Sequence, residues 1–349
     1  MIKFIIRRVG LMILTTLCLT LLVFFITNLY PNLEKLAKTQ LNFRMSDDAV
    51  TSYLERNGYL RPTPIGYAQW LGFIPGYVSE PDKDGKITGR CKLPGVTMED
   101  SPKYCGVLQG YWGYSTVFKE PALDILTKRL GLTGWLMLTV MLVMIPAALL
   151  LGIFSGMREG SKLDRTLSAF SITSTATPEY VSGIVFIAIF SSSAFGLKWF
   201  KGSATSAMDD ITWVNFTLPV MTIALYGMGY IARMTRASMA EVMTSQYIRT
   251  ARLKGVSFTS IVIKHALRNA LIAPFTVIML QFPWLLNGVV IVETIFNYKG
   301  FGWVLVQAAS NNDIDLLLGC SVIAVIVVLA TQLISDIGYV VLNPRIRIN

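Results

Sequence analysis

The stretch Tyr247-Ile248-Arg249-Thr250-Ala251-Arg252-Leu253-Lys254-Gly255, followed by Lys264-His265-Ala266-Leu267-Arg268-Asn269-Ala270, reads as a short basic helix, a glycine stop and a second basic helix. Long apolar segments flank it, at about 216–236 and 271–295. Tyr247, Ile248, Ala251 and Gly255 share a face at helical spacing, with Arg249 and Arg252 three apart beside it. Gly255 stands where a helix stop asks for positive φ. A short exposed helix with a small-residue face and flanking cations fits a groove of another protein. The same charge favours lying on anionic lipid. Spacing alone leaves both readings open.

Working outward, 53% of the 349 residues are hydrophobic and only 15% are charged. Soluble domains carry about a quarter charged residues, so the apolar excess must face lipid. Windows of about 20 residues, enough to cross about 30 Å of hydrocarbon, give six spans near 9–30, 132–156, 167–196, 216–236, 271–295 and 316–342. The expected fold is therefore an all-α polytopic membrane protein. It divides into 1–30, an N-terminus and first span; 31–131, an extracytoplasmic segment; and 132–349, a five-helix core with a loop at about 237–270.

Lys and Arg near span ends set orientation. Lys3, Arg7, Arg8, then Arg158, Lys162, Arg165, then seven from Arg233 to Arg268, then Arg345 and Arg347 fall on one side. The short loops of the other side carry only Lys198, Lys201 and Lys299, which places both termini in the cytoplasm. The net charge of +10 is thus clustered beside apolar spans, without the aromatic interleaving of a single-strand binder, and no nucleic-acid partner is expected. The first apolar run ends in Thr27-Asn28-Leu29-Tyr30-Pro31 with no small-x-small cleavage site, so it reads as an uncleaved span.

Segment 31–131 is turn-rich at its centre, with Pro75-Gly76, Asp84-Gly85, Pro94-Gly95 and Ser101-Pro102. Cys91 and Cys105 lie within it; in an oxidising compartment they would close a small loop, the alternative being two unpaired thiols. Their spacing without nearby His argues against zinc, whereas Cys18 and Cys320 read as packing residues inside spans. Ser46 to Asn57 reads as a capped helix stopped by Gly58, and Pro121 to Leu130 as an amphipathic helix leading into the second span. The aromatics of Gly110-Tyr111-Trp112-Gly113-Tyr114 suit a membrane-interface collar, or contacts to a ligand.

Polar and helix-breaking residues inside the spans mark places to examine. Thr177-Pro178-Glu179 is a helix-start pattern at membrane depth, so the third span is expected to break there, which is tolerated only inside protein or along a cavity. Glu179 is either a wall of a translocation path or a carboxylate paired within the bundle. Glu293 and Asp336 raise the same question, since buried ionisable groups face the interior and have partners. Arg233 or Arg236 is the candidate partner for Asp336, and Glu293 has the chemistry to capture a peptide amino group. Pro146, Pro219, Pro274 and Pro283 are expected to kink their helices. His265 is the only histidine and is assigned to packing or docking.

No phosphate-cradling Gly-x-x-x-x-Gly-Lys-Ser/Thr loop, nucleophile elbow or His-Glu-x-x-His helix occurs. No catalytic, cofactor-binding or metal residues are therefore assigned, and energy must come from a partner or an ion gradient. Three classes remain. One is a half-channel driven by partner ATPases; another is a secondary transporter, which should show internal repeats; the third is a membrane-anchored receptor.

Tyr247 to Gly255, with Lys264 to Pro274, resembles the loop by which permease subunits of bacterial ATP-binding-cassette importers seat on their ATPases. The acidic residue of the general signature is replaced by Arg in the dipeptide and oligopeptide subfamily, as at Arg249. Val292-Glu293-Thr294-Ile295-Phe296, Gly300-Phe301-Gly302, Asp336-Ile337-Gly338-Tyr339 and Asn343-Pro344-Arg345-Ile346-Arg347 are also similar to peptide permeases. So are Phe4 to Arg8, Leu163-Asp164-Arg165 and Thr177-Pro178-Glu179. Two departures stand out: Pro31-Asn32-Leu33-Glu34 replaces the family's usual Pro-Gly-Asp-Pro-like turn, and residues from about 73 to 107 look like an insertion.

The resemblance implies a six-helix type I importer permease fold in a bacterial inner membrane, with docking in place of lipid contact. It implies a second permease chain, two ATPases that bind ATP and Mg, and an extracytoplasmic solute-binding protein as partners. The coupling residues would be Tyr247, Arg249, Thr250, Ala251, Arg252, Gly255, His265 and Arg268. Cargo would be peptides or peptide-like solutes, with oligosaccharides, opines or metal chelates as alternatives within the family.

Overall fold

The computed structural model describes residues 2–40, 44–77, 89, 91, 102–193 and 197–342. No β-strand occurs among them, and most belong to helices. The closing Asn343 to Arg347 motif and most of the 73–107 stretch lie outside the described residues.

Two compact units form, one from residues 131–303 together with the chain from 328, the other from residues 2–130 and 304–327. In the second unit, α1 (Ile2–Thr27) is followed by α2 (Tyr30–Gln40), α3 (Asp47–Arg56) and α4 (Thr63–Leu71). α3 forms as its sequence dictates: Ser46 adopts extended backbone and its hydroxyl accepts from Ala49 N at 3.4 Å, Asp47 and Asp48 fill the first turn, and Gly58 follows at φ +76°. Leu33, Leu36, Val50, Leu54, Trp70 and Leu318 close one apolar core, in which the Tyr67 ring stacks on Trp70 at 5.9 Å. The Thr20 and Tyr67 hydroxyls meet at 2.6 Å, tying α4 to α1. Cys91 and Cys105 are joined as a disulfide with Cα atoms 5.4 Å apart. Asp313 is fully buried and receives the Ser115 hydroxyl at 2.6 Å and Val117 N at 3.2 Å.

The first unit is built around α8 (Trp213–Met243), against which α6 (Lys162–Ala176), α7 (Glu179–Phe190) and α12 (Ile272–Ile295) pack. Small residues permit this closeness. A side chain at Gly152 or Gly156 of α5 (Ala122–Gly156) would overlap α8 near Thr235 or Arg236, and one at Gly229 would overlap Ser171 and Ser174 of α6. α13 (Phe301–Ser310) and α14 (Ile314–Leu342) follow.

Among the described residues, four helices are long and apolar enough to cross a membrane, or up to six if two bent pairs each count as one span. The first pair is α6 and α7, bent by 107° at Thr177-Pro178, with Pro178 as N-cap and Glu179 opening α7. The second bends by 50° at Leu271. Pro146, Pro219 and Pro283 lie inside α5, α8 and α12, which continue through them. Pro274 sits in the first turn of α12, where a missing N–H leaves no hydrogen bond unmade. The amphipathic helix expected from Pro121 proves to be the start of the 35-residue α5.

Candidate functional site

Between α8 and α12 the chain forms α9 (Gln246–Leu253), α10 (Phe258–Ser260), a π-helical turn at Ile261–Ala266 and α11 (Leu267–Ala270). Ser245 opens α9 in extended backbone, and its hydroxyl donates back to Val242 O at 2.6 Å. Gly255 closes it at φ +73°, a conformation that costs a residue with Cβ about 1–2 kcal/mol.

The helical face is used in the opposite sense from the sequence expectation. Ile248 and Ala251 turn inward, packing with Met239, Met243, Ile261, Val262, Ala266 and Ala270. Ala251, 9% exposed, thus packs into the loop's own core. Tyr247, Arg249, Thr250, Arg252, Leu253 and Gly255 face outward, as do His265 and Arg268. Leu253 is 82% exposed, Ile263 59% and Tyr247 43%. The Arg158 guanidinium lies 5.6 Å over the Phe258 ring. The surface therefore combines cations with uncovered apolar side chains, a mixture that suits a protein groove. Sequence reading missed Leu253, Phe258 and Ile263, because an apolar residue in a short element has the same spacing whether buried or exposed. Two hydrogen bonds brace the loop: Asn269 Nδ2 donates to the Tyr247 hydroxyl at 2.9 Å, and the Ser238 hydroxyl donates to Ala270 O at 2.8 Å.

Behind this surface lies an ion pair whose carboxylate is buried and whose guanidinium is partly exposed. Arg236 on α8 reaches Asp164 on α6 in a forked contact, Nε to Oδ1 at 2.6 Å and Nη2 to Oδ2 at 2.8 Å. Asp164 is 2% exposed and also accepts from Ser155 Oγ at 2.6 Å, Gly160 N at 2.8 Å and Ser168 Oγ at 3.1 Å. Satisfied this fully, the carboxylate locks the α5–α6 turn and α6 to α8, the helix that leads into the loop. Of Arg233 and Arg236, the two candidate partners for Asp336, Arg236 is engaged by Asp164, with Glu159 at 3.7 Å. Arg233 Nη1 donates to Thr175 Oγ1 at 3.4 Å. Asp336 is half-buried on α14.

Glu293 is completely buried. Its carboxylate accepts from the Thr133 hydroxyl and from Trp303 N at 2.9 Å, while Phe301 N donates to Thr133 Oγ1 at 2.7 Å. Two orphan N–H groups at the start of α13 are thereby satisfied. A side chain at Gly300 would overlap the Glu293 carboxylate, and one at Gly302 would press on Val290. The Glu293, Gly300, Gly302 pattern is thus a helix-capping device. Glu179 is half-buried, and a Cβ at Gly288 on α12 would stand 3.1 Å from its Oε1. Trp284, one turn before Gly288 on α12, stacks on Tyr226 of α8 at 4.7 Å.

Among the described residues, no group of His, Cys, Asp and Glu is placed to hold a metal ion. A chain with this many long apolar helices, broken spans and a braced basic loop between two of them is a multi-pass membrane protein of the transporter kind. Residues 148–348 match the family described as binding-protein-dependent transport system inner membrane component. A Sinorhizobium fredii protein named as a peptide ABC transporter permease is 32% identical over 244 residues, covering 69% of this chain and 77% of that protein. The glutathione transport system permease of Escherichia coli K12 is 32% identical over 240 residues, covering 69% and 76%. A Brucella suis protein named as a peptide permease is 26% identical across the whole of both chains. The chain belongs to the binding-protein-dependent transport family, and is an inner-membrane permease subunit of an ABC importer.

Proposed function

We propose that this chain forms half of a translocation path for peptides or peptide-like solutes and couples it to two cytoplasmic ATPase subunits through residues 245–270. The observation that carries the reading is the outward array of Tyr247, Arg249, Arg252 and Leu253 on a helix clamped from behind by Ile248 and Ala251. A clamped helix transmits displacement, whereas a basic loop resting on lipid needs no such bracing. ATP and Mg would reside on the ATPases, and this chain would supply neither catalysis nor a cofactor site. A second permease chain completes the path, and a solute-binding protein delivers cargo to it. The Lys/Arg bias supports cytoplasmic termini and an extracytoplasmic segment 31–131. The relatives named for peptide and glutathione transport support peptide-like cargo.

Co-purification in detergent with the products of neighbouring genes tests the reading. Wild type should retain ATPase subunits, and Arg249→Glu with Arg252→Glu should lose them. Absence of any ATPase from the wild-type complex would overturn it and direct attention to ion-driven transport in liposomes.

A further inference from the structure

A second candidate site lies in the unit of residues 2–130 and 304–327, in a cavity of about 540 Å³ lined among others by Tyr59, Arg61, Tyr77, Tyr111, Trp112 and Asp124. Small-molecule sites span about 300–1,000 Å³ and combine aromatic walls with a few polar groups. Most polar groups on this wall are already committed to the fold. Asn28 Nδ2 donates to Phe24 O at 2.9 Å, Asn57 Nδ2 to Tyr53 O at 2.9 Å and Gln69 Nε2 to Pro75 O at 3.0 Å. Asp315 accepts from Tyr114 N at 3.4 Å. Two groups of opposite charge remain. Among the described residues Arg61 has no carboxylate partner; its guanidinium lies 4.2 Å over the Tyr77 ring, which leaves the planar edge of donors open. Asp124, exposed in the first turn of α5, has no cationic partner among them either.

An unneutralised cation and an unneutralised anion on one aromatic cavity match a molecule that carries both charges at its ends and apolar groups between. We propose that this cavity binds a short zwitterionic peptide, with its carboxylate on the Arg61 fork, its ammonium group on Asp124 and its side chains against Tyr111 and Trp112. The ligand class rests on the peptide reading above; the site itself rests on the cavity. It would give the permease a holding place for cargo.

The test uses the assembled importer in nanodiscs without ATP or binding protein, and a radiolabelled alanine–phenylalanine–alanine tripeptide. Saturable binding is expected, weakened at least tenfold by Arg61→Glu, by Asp124→Asn and by Trp112→Ala. Blocking the peptide's carboxylate as an amide should weaken wild-type binding at least tenfold, and should cause no further loss in Arg61→Glu, where it removes a like-charge repulsion. N-acetylation should behave in the same way toward Asp124→Asn. No binding, or binding equal in wild type and variants, overturns the site. So does retention of phosphatidylethanolamine by wild type and its loss from Arg61→Glu, which would make the cavity a lipid site. ATP-driven uptake of the same tripeptide, with binding protein restored, separates the two readings. Uptake without binding sinks the site alone, and binding without uptake sinks the importer's peptide cargo alone.

Discussion

At the scale of single residues, Gly255 separates backbone need from packing. Its φ is +73° and an added Cβ would meet nothing within 4 Å, so any side chain is penalised by the backbone alone. Gly255→Asn is expected to transport normally, since Asn tolerates this conformation, while Gly255→Val should lower solute moved per ATP hydrolysed. Equal coupling ratios in proteoliposomes for both variants would remove the positive-φ requirement. Glu293 makes the contrasting case, in which packing and hydrogen bonding decide. Glu293→Ala strands the Thr133 hydroxyl and Trp303 N in a buried site, costing about 1–3 kcal/mol per group, and should lower the detergent-solubilised Tm clearly. Glu293→Gln keeps one acceptor, for Trp303 N, and can donate its amide N–H to Thr133 Oγ1, so it should lower Tm less than Glu293→Ala and transport near wild type; a specific uptake defect in that variant with unchanged Tm would restore an amine-capturing role. Sequence reading located both residues, because a helix-stop glycine and a buried carboxylate are visible in one dimension. The capping role of Glu293 was hidden, since it depends on Thr133, which is 160 positions away.

At the scale of elements, α9 has two faces with separable tasks. Ile248 is fully buried, and Ile248→Ala should cost about 2–5 kcal/mol. Leu253→Ala removes an 82% exposed side chain and should leave Tm unchanged while weakening retention of ATPase subunits on co-purification. A Tm loss for Leu253→Ala equal to that for Ile248→Ala would show the face assignment to be wrong. The Asp164–Arg236 fork joins α6 to α8; with the guanidinium 29% exposed, removing one partner should cost less than the about 3–5 kcal/mol of a fully buried pair. Arg236→Lys keeps the charge but loses the two-pronged contact, so ATPase activity should persist with reduced transport; unchanged transport would make the fork a stability feature only. Long elements were legible from apolar windows, including the break at Thr177-Pro178. α2, α4 and α13 were not, because each is 9–11 residues long and their apolar positions repeat too few times to stand out from turn-rich surroundings. The inward turn of Ala251 was also illegible, since a small residue has the same spacing on a buried or an exposed face.

At the scale of the whole molecule, the arrangement of charge makes one global commitment that local geometry does not. Basic residues near span ends resist translocation, so their distribution selects one of two mirror-related topologies. The fifteen counted on one side outweigh three on the other, and the orientation proposed from that bias puts α9 in the ATP-containing compartment and α3 outside it. Cysteine labelling reads this directly. With Cys18 and Cys320 replaced by alanine, and Cys91 and Cys105 held in their disulfide, single cysteines are introduced as Ser52→Cys on the exposed side of α3 and Leu253→Cys on α9. A membrane-impermeant maleimide should modify Ser52→Cys on spheroplasts and should reach Leu253→Cys only after the membrane is opened. The reverse pattern would place the basic loop outside, where no ATP is available, and would remove the physical basis for coupling through it. If the expected pattern is found, adding purified ATPase subunits to opened membranes should protect Leu253→Cys and leave Ser52→Cys reactive, because only the former lies on the surface assigned to docking.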